Sequence, residues 1–204
     1  MKLKTLEMRL ERIAGFDRPR VDLEQYVTPA EVAARLLYHA FLRGDIEGRR
    51  VCDLGCGTGV LCCGAALLGA SSAAGIDIDP AAVSTANRNA AELGVSVRLV
   101  EGDLRDPAAL GSFCPCDTVV MNPPFGAQKR HADRPFIDAA LSCAGVVYGI
   151  FNEGSRAFLA SYIRGRGEID EVVACTFPMK RTFAHHTKDR RDIPVEVIRI
   201  VRVA

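Results

Sequence analysis

No stretch of this 204-residue chain approaches the roughly 20 consecutive apolar residues that a membrane-spanning helix needs. The opening segment, MKLKTLEMRLERIAG, places a charge every few positions and so lacks the apolar centre of a secretory signal peptide. No C-x-x-C pair occurs among the eight cysteines, which argues against a zinc ribbon. They stand at 52, 56, 62, 63, 114, 116, 143 and 175, mostly inside apolar stretches and without the spacing of a disulfide framework. The expectation is of reduced, buried thiols in a cytoplasmic protein. His39 sits on an amphipathic stretch and His185-His186 lacks partner ligands, so no metal site is expected. Internal repeats and low-complexity tracts are also missing.

What is present is the balance of a soluble globular domain, 49% hydrophobic and 25% charged residues, which excludes disorder over most of the length. The net charge of +1 is an average over unlike parts. Residues 1–20 carry six basic and three acidic groups, residues 180–204 seven and three, and residues 21–179 thirteen and nineteen. An acidic body is therefore flanked by two basic ends.

Leu3, Leu6, Leu10 and Ile13 recur at helical spacing, predicting an amphipathic helix within 2–14. Thr28-Pro29 reads as an N-cap followed by proline at the first helical position, opening a helix over 29–43 that Gly44 stops. Strands and helices then alternate. Strands are expected at 50–54, 72–77, 95–101, 116–121 and 145–150, with helices at 59–68, 80–93, 135–144 and 155–164. Two β-rich segments, 168–177 and 193–203, close the chain with no helix between them, as an antiparallel hairpin would. Such alternation specifies an α/β fold, a parallel sheet covered by helices on both faces, with its ligand at the carboxyl ends of the strands.

Three signals sit at those strand ends. Asp53-Leu54-Gly55-Cys56-Gly57-Thr58-Gly59 follows the first strand and opens a helix. Its glycines allow a tight turn and close approach of a ligand. An acid two residues before the first glycine would repel a pyrophosphate, but it suits the cationic amino acid end of S-adenosylmethionine. Asp77 ends the second strand, where a carboxylate can take both hydroxyls of a ribose. Asp79, just before Pro80, is better explained as an N-cap. Asp103 ends the third strand, either as a turn residue or as an acceptor for an adenine amine. The third signal is Asn122-Pro123-Pro124-Phe125 after the fourth strand. The prolines remove two N–H donors, leaving carbonyls free, and Asn122 adds a side-chain carbonyl. Acceptors placed on both hydrogens of a planar amine draw its nitrogen toward tetrahedral geometry and free the lone pair. Phe125 offers a face for an extruded base.

Together these residues resemble the class I S-adenosylmethionine-dependent methyltransferases that act on exocyclic or amide nitrogens. Leu23-Glu24-Gln25-Tyr26-x-Thr28, Ile76-Asp77-Ile78-Asp79, Asn87-x-Asn89-Ala90 and Ile193-x-Val195-Glu196-x-Ile198-Arg199 extend the likeness. From about Leu23 onward the chain is similar to the small archaeal and eukaryotic ribosomal RNA adenine-N6 methyltransferases. That resemblance implies a seven-stranded Rossmann-like sheet over residues 23–204, preceded by a helical appendage at 1–22. It implies cofactor contacts from Gln25, Tyr26, Thr28, Asp53, Gly55, Gly57, Thr58, Gly59, Val60, Asp77, Ile78, Asp103, Leu104 and Asn122. It assigns the target adenine to Asn122, Pro123, Pro124 and Phe125. The substrate it implies is ribosomal RNA of the small subunit, and a small zinc-containing activator protein would add at the sheet edge near the third strand. Lys129, Arg130 and His131, with His185, His186, Lys188, Arg190 and Arg191 between the last two strands, are the candidate RNA-binding residues. Protein glutamine-N5 methylation, DNA adenine-N6 methylation and a non-catalytic cofactor-binding scaffold are the alternatives. The chain has no insertion large enough for a DNA target-recognition domain, and a scaffold has no need of the Asn-Pro-Pro acceptors.

Overall fold

The structure, a computed structural model, describes residues 1–180 and 190–203, with side chains left out at 178–180, 190 and 191. Seven strands form one sheet: β1 (Arg50–Leu54), β2 (Ser72–Asp77), β3 (Arg98–Glu101), β4 (Thr118–Met121), β5 (Val146–Asn152), β6 (Gly167–Lys180) and β7 (Arg190–Arg202). Their order across the sheet is β3-β2-β1-β4-β5-β7-β6. The first five strands are parallel neighbours, while β7 runs antiparallel between β5 and β6. The expected α/β architecture and closing hairpin are both present.

The central strands show why. Every residue of β4 is buried, and only Arg50 of β1 is exposed, the signature of strands covered on both faces. One face is covered by α1 (Leu3–Leu10), α2 (Ala30–Leu42) and α3 (Val60–Leu67), with α4 (Pro80–Leu93) following β2. Leu6, Leu10, Leu36 and Leu37 there pack with Val120, Tyr148 and Ile150 of the sheet. On the opposite face, Ile137 and Leu141 of α6 (Arg134–Cys143) and Leu159 of α7 (Arg156–Tyr162) meet Met121, Phe151 and Ile198. A five-residue α5 (Pro107–Gly111), capped by Asp106, was too short to show a periodicity.

Helix boundaries follow local chemistry. The Asp79 carboxylate accepts the Ala81 N–H at 3.0 Å and Gly94 ends α4 in the left-handed conformation, as expected. The opening of α2 differs. Its N-cap is Pro29, with no side-chain cap, and Thr28 turns its hydroxyl toward Asn122 instead. The cysteine expectation also needs correcting, because Cys114 and Cys143 are joined as a disulfide with Cα atoms 4.8 Å apart. Spacing alone did not reveal a pair brought together by the packing of α6 beside the approach to β4. Cys52, Cys56, Cys62, Cys63 and Cys116 are buried free thiols. No described helix is long and apolar enough to cross a membrane.

Sequence order reverses at β1 and β4, since the chain winds outward through β2 and β3 before returning. β1 and β4 stay paired to their last residues, Leu54 and Met121, but the segments that follow them lead to opposite faces of the sheet. The crevice between those segments is the usual ligand position in open α/β sheets.

Candidate active site

The turn leaving β1 fills one wall of that crevice. Gly55 and Gly57 have φ of +71° and +52°, a region that side chains disfavour. Space is short as well: a Cβ on Gly55 would sit 2.6 Å from Phe136 Cε1, and one on Gly57 would sit 3.0 Å from Phe16 Cζ.

Asp53 lies beneath this turn, 1% exposed. Its Oδ2 accepts the Cys62 N–H at 3.0 Å, while Oδ1 is buried with no partner. Burial pushes its carboxyl up to about 8. Asp77 at the end of β2 accepts Gly57 N–H at 2.8 Å through Oδ2 and Asp79 N–H at 3.0 Å through Oδ1. Desolvation raises its pKa too, against the opposing pull of those backbone donors. One carboxylate thus pins the glycine turn to the β2 turn.

A strap formed by residues 15–28 crosses over these turns. Asn89 anchors its beginning, accepting Ala14 N–H at 2.9 Å and donating to the Ala14 and Thr58 carbonyls. Gln25 anchors its end. Its Nε2 donates to Asp79 Oδ2 at 2.7 Å and its Oε1 accepts Arg20 N–H at 2.8 Å. The Gln25 amide thus holds the strap through its oxygen and one of its two hydrogens.

At the end of β4, Asn122 Nδ2 donates to Thr28 Oγ1 at 3.0 Å, and Asn122 Oδ1 is buried without a partner. Phe125 meets Phe177 edge to face, with ring centroids 6.1 Å apart and planes at 80°. Phe177 itself is 1% exposed.

These parts enclose a cavity of about 300 Å³. Gln25, Tyr26, Thr28, Asp53, Gly55, Gly57, Thr58, Val60, Asp77, Ile78, Asp103, Leu104 and Asn122 through Phe125 all line it. Gly59 does not; it is the N-cap of α3, at φ +87°. Asp103 forms an ion pair with Arg105, whose guanidinium holds the carboxyl below its ordinary value. Of the candidate RNA-binding residues, Lys129 and His131 reach the cavity lining and Arg130 lies between them in the chain. His185, His186 and Lys188 lie outside the described residues, and only the backbone of Arg190 and Arg191, opening β7, is described. Sequence reasoning missed Phe16, Phe136 and Phe177, which also line the cavity. They are far apart in the chain and follow no motif, so only the fold brings them to one place.

Residues 29–144 match the model of the methyltransferase small domain family. The ribosomal RNA N6-adenosine-methyltransferase METTL5 of Danio rerio is 35% identical over 98% of each chain. The Drosophila melanogaster protein of the same name is 34% identical over 96% of this chain and 94% of its own. The chain belongs to this methyltransferase family. A provisionally assigned RNA methyltransferase of Pyrococcus horikoshii, 35% identical, superposes over 100% of this chain and 99% of its own with a TM-score of 0.91. Methyltransferases of this family use S-adenosylmethionine. The cavity fits that molecule on a structural criterion: the buried Asp53 Oδ1 has no partner here, and a cationic ammonium is the group that would satisfy it.

Proposed function

We propose that this enzyme methylates N6 of an adenosine in ribosomal RNA. The observation that carries the reading is Asn122 Oδ1, a buried acceptor left unpartnered while Thr28 holds the other end of the same amide. A buried carbonyl without a donor is unfavourable by itself, so its persistence in a residue that lines the cavity suits an amine that arrives with the substrate. Pro123 and Pro124 bring no N–H of their own to fill the acceptors around it. Phe125 provides the stacking surface, and the Phe177 edge keeps its ring from turning away.

On the cofactor side, Asp53 would face the ammonium, Asp77 the ribose hydroxyls, and Ile78, Asp103 and Leu104 the adenine. S-adenosylmethionine supplies a methyl group bonded to a positively charged sulfur. The chain supplies position: both reactants held in one cavity, the amine oriented by Asn122, and solvent kept out by the strap and the aromatic side chains. The names of the relatives in Danio and Drosophila support ribosomal RNA as the substrate, and small-subunit RNA is the first to assay. Lys129 and His131 at the cavity lining would neutralise phosphates beside the target nucleotide. A cytoplasmic location accords with such a substrate. The small zinc-containing partner would add at β3, which forms one edge of the sheet and leaves Leu99 and Val100 half-buried.

Tritium transfer from labelled cofactor to purified ribosomal RNA tests the reading, with N6-methyladenosine identified in the digest. Asn122→Ala should lower kcat by about a hundredfold or more, the scale for losing a preorganised polar contact to the reacting group. Equal transfer by both proteins, or a product other than N6-methyladenosine, would overturn it.

A further inference from the structure

Two non-glycine residues among those described hold a left-handed backbone: Glu24 at φ +51° and His131 at φ +65°. Such conformations are uncommon outside glycine, and surrounding contacts must maintain them. Glu24 belongs to the strap over the cofactor turns. His131 belongs to the loop that follows Phe125 and lines the cavity. The two segments are joined directly, because Glu24 Oε1 accepts the Gln128 N–H at 2.8 Å across 104 positions of sequence.

That bond ends a continuous series of contacts. Asp77 Oδ1 accepts Asp79 N–H, Asp79 Oδ2 accepts from the Gln25 amide, and Gln25 adjoins Glu24 in the chain. Every member except the last is at the floor or the strap of the expected cofactor position. Glu24 lines the cavity on its strap side while Gln128 does not, and the Glu24–Gln128 contact is exposed rather than part of the core. A contact of this kind adds little to the stability of the fold, but it decides where the loop sits.

We infer that Glu24 is a positioning residue that couples occupation of the cofactor site to the shape of the 126–131 loop. A ligand that settles the strap fixes the Glu24 carboxylate. The carboxylate then holds the Gln128 N–H, and with it the loop that carries Lys129 and His131. By linkage, the factor by which the cofactor tightens nucleotide binding through the ordered loop is the factor by which the nucleotide tightens cofactor binding. This inference rests on the proposed RNA reading only for the identity of the second ligand.

Amide hydrogen exchange at Gln128, measured with and without S-adenosylhomocysteine, tests the coupling without any RNA. In the wild type, the ligand should slow exchange at Gln128 roughly tenfold, the scale of a charge-assisted hydrogen bond. In Glu24→Ala that slowing should vanish even at saturating S-adenosylhomocysteine, with occupancy confirmed by calorimetry. Glu24→Gln keeps a carbonyl oxygen to accept the same N–H and should restore most of it. A second arm measures the affinity of a short adenosine-containing RNA with and without S-adenosylhomocysteine. The ligand should tighten RNA binding to the wild type severalfold and leave binding to Glu24→Ala unchanged. Ligand-dependent protection of Gln128 that persists in Glu24→Ala, or is absent from the wild type, overturns the inference. If protection behaves as expected but no RNA binds any of the three proteins, the coupling stands and the RNA reading fails.

Discussion

Asp53 offers a test in which stability and ligand binding must move in opposite directions. Its carboxyl is buried, donates to nothing, and has one oxygen without a partner, so ionising it in the empty protein is unfavourable. An acid whose folded pKa is raised contributes no penalty while both states are protonated. The penalty grows as pH rises from the unfolded value near 4 to the folded value, about 8, and is constant above that. Over that window each unit is about 1.4 kcal/mol, so the full penalty is on the order of several kcal/mol. Asp53→Asn keeps an oxygen for the Cys62 N–H and removes the charge. Urea unfolding of the empty proteins should therefore show the wild type losing stability between about pH 4 and pH 8, while the variant does not follow this loss and is the more stable protein at pH 8. Binding must show the reverse. An ammonium beside Asp53 favours the ionised form, so wild-type binding of S-adenosylhomocysteine at pH 6.5 should release nearly one proton. Calorimetry in two buffers of different ionisation enthalpy counts that proton. In Asp53→Asn the release should disappear and affinity should fall by about a hundredfold. Parallel pH–stability curves for the two proteins, or no proton release by the wild type, would refute the assignment.

Two further outcomes concern the frame. Gly55→Ala places a methyl group 2.6 Å from the Phe136 ring on a backbone at φ +71°, so it should destabilise the fold by about 2 kcal/mol in chemical denaturation and weaken cofactor binding. Arg199→Met strands a nearly buried carboxylate: Asp45 Oδ2 receives Arg199 Nε at 3.0 Å and Tyr148 O–H at 2.6 Å, with both ionic side chains under 15% exposed. Loss of about 3 kcal/mol is expected by the same measurement, and a change below 1 kcal/mol would count against the importance of this network.

Strand positions were legible where both faces are buried. The segments 50–54 and 72–77 match β1 and β2 residue for residue, because each is a short stretch of mostly small or apolar residues that ends at an acid or glycine turn and is followed by a helical pattern. The third strand was overextended, from 95 instead of Arg98, since its alternation continues into the loop after α4 and only pairing with β2 decides where the strand begins. Asp79 was readable as a cap because Pro80 follows it, a local rule with a local consequence. Thr28 obeyed the same rule on paper and broke it in the fold. Its hydroxyl had a better offer from Asn122, 94 positions away, which no window of sequence contains.

That difference separates the two kinds of residue at this site. Asp53, Asp77 and Asn122 are recognisable because each ends a strand, and a strand end in an open α/β sheet already faces the ligand. Gln25, Glu24, Asn89 and Thr28 serve the same cavity from segments whose course the local pattern leaves undetermined. Asn89 spends both amide hydrogens and its oxygen on protein partners, and Gln25 spends its oxygen and one amide hydrogen so. A glutamine implied by resemblance to touch cofactor and one that braces the strap above it are the same letter in the sequence. They differ in where the amide's donors and acceptor are used, and here both ends of Gln25 are used on Asp79 and Arg20. Gln25 also lines the cavity, so a direct contact with the cofactor and an effect passed through the strap are separable only by kinetics. If Gln25 acts through the strap, its replacement should raise both association and dissociation rates, whereas loss of a direct contact would change dissociation alone. Stopped-flow measurement of S-adenosylhomocysteine binding to Gln25→Ala decides between them.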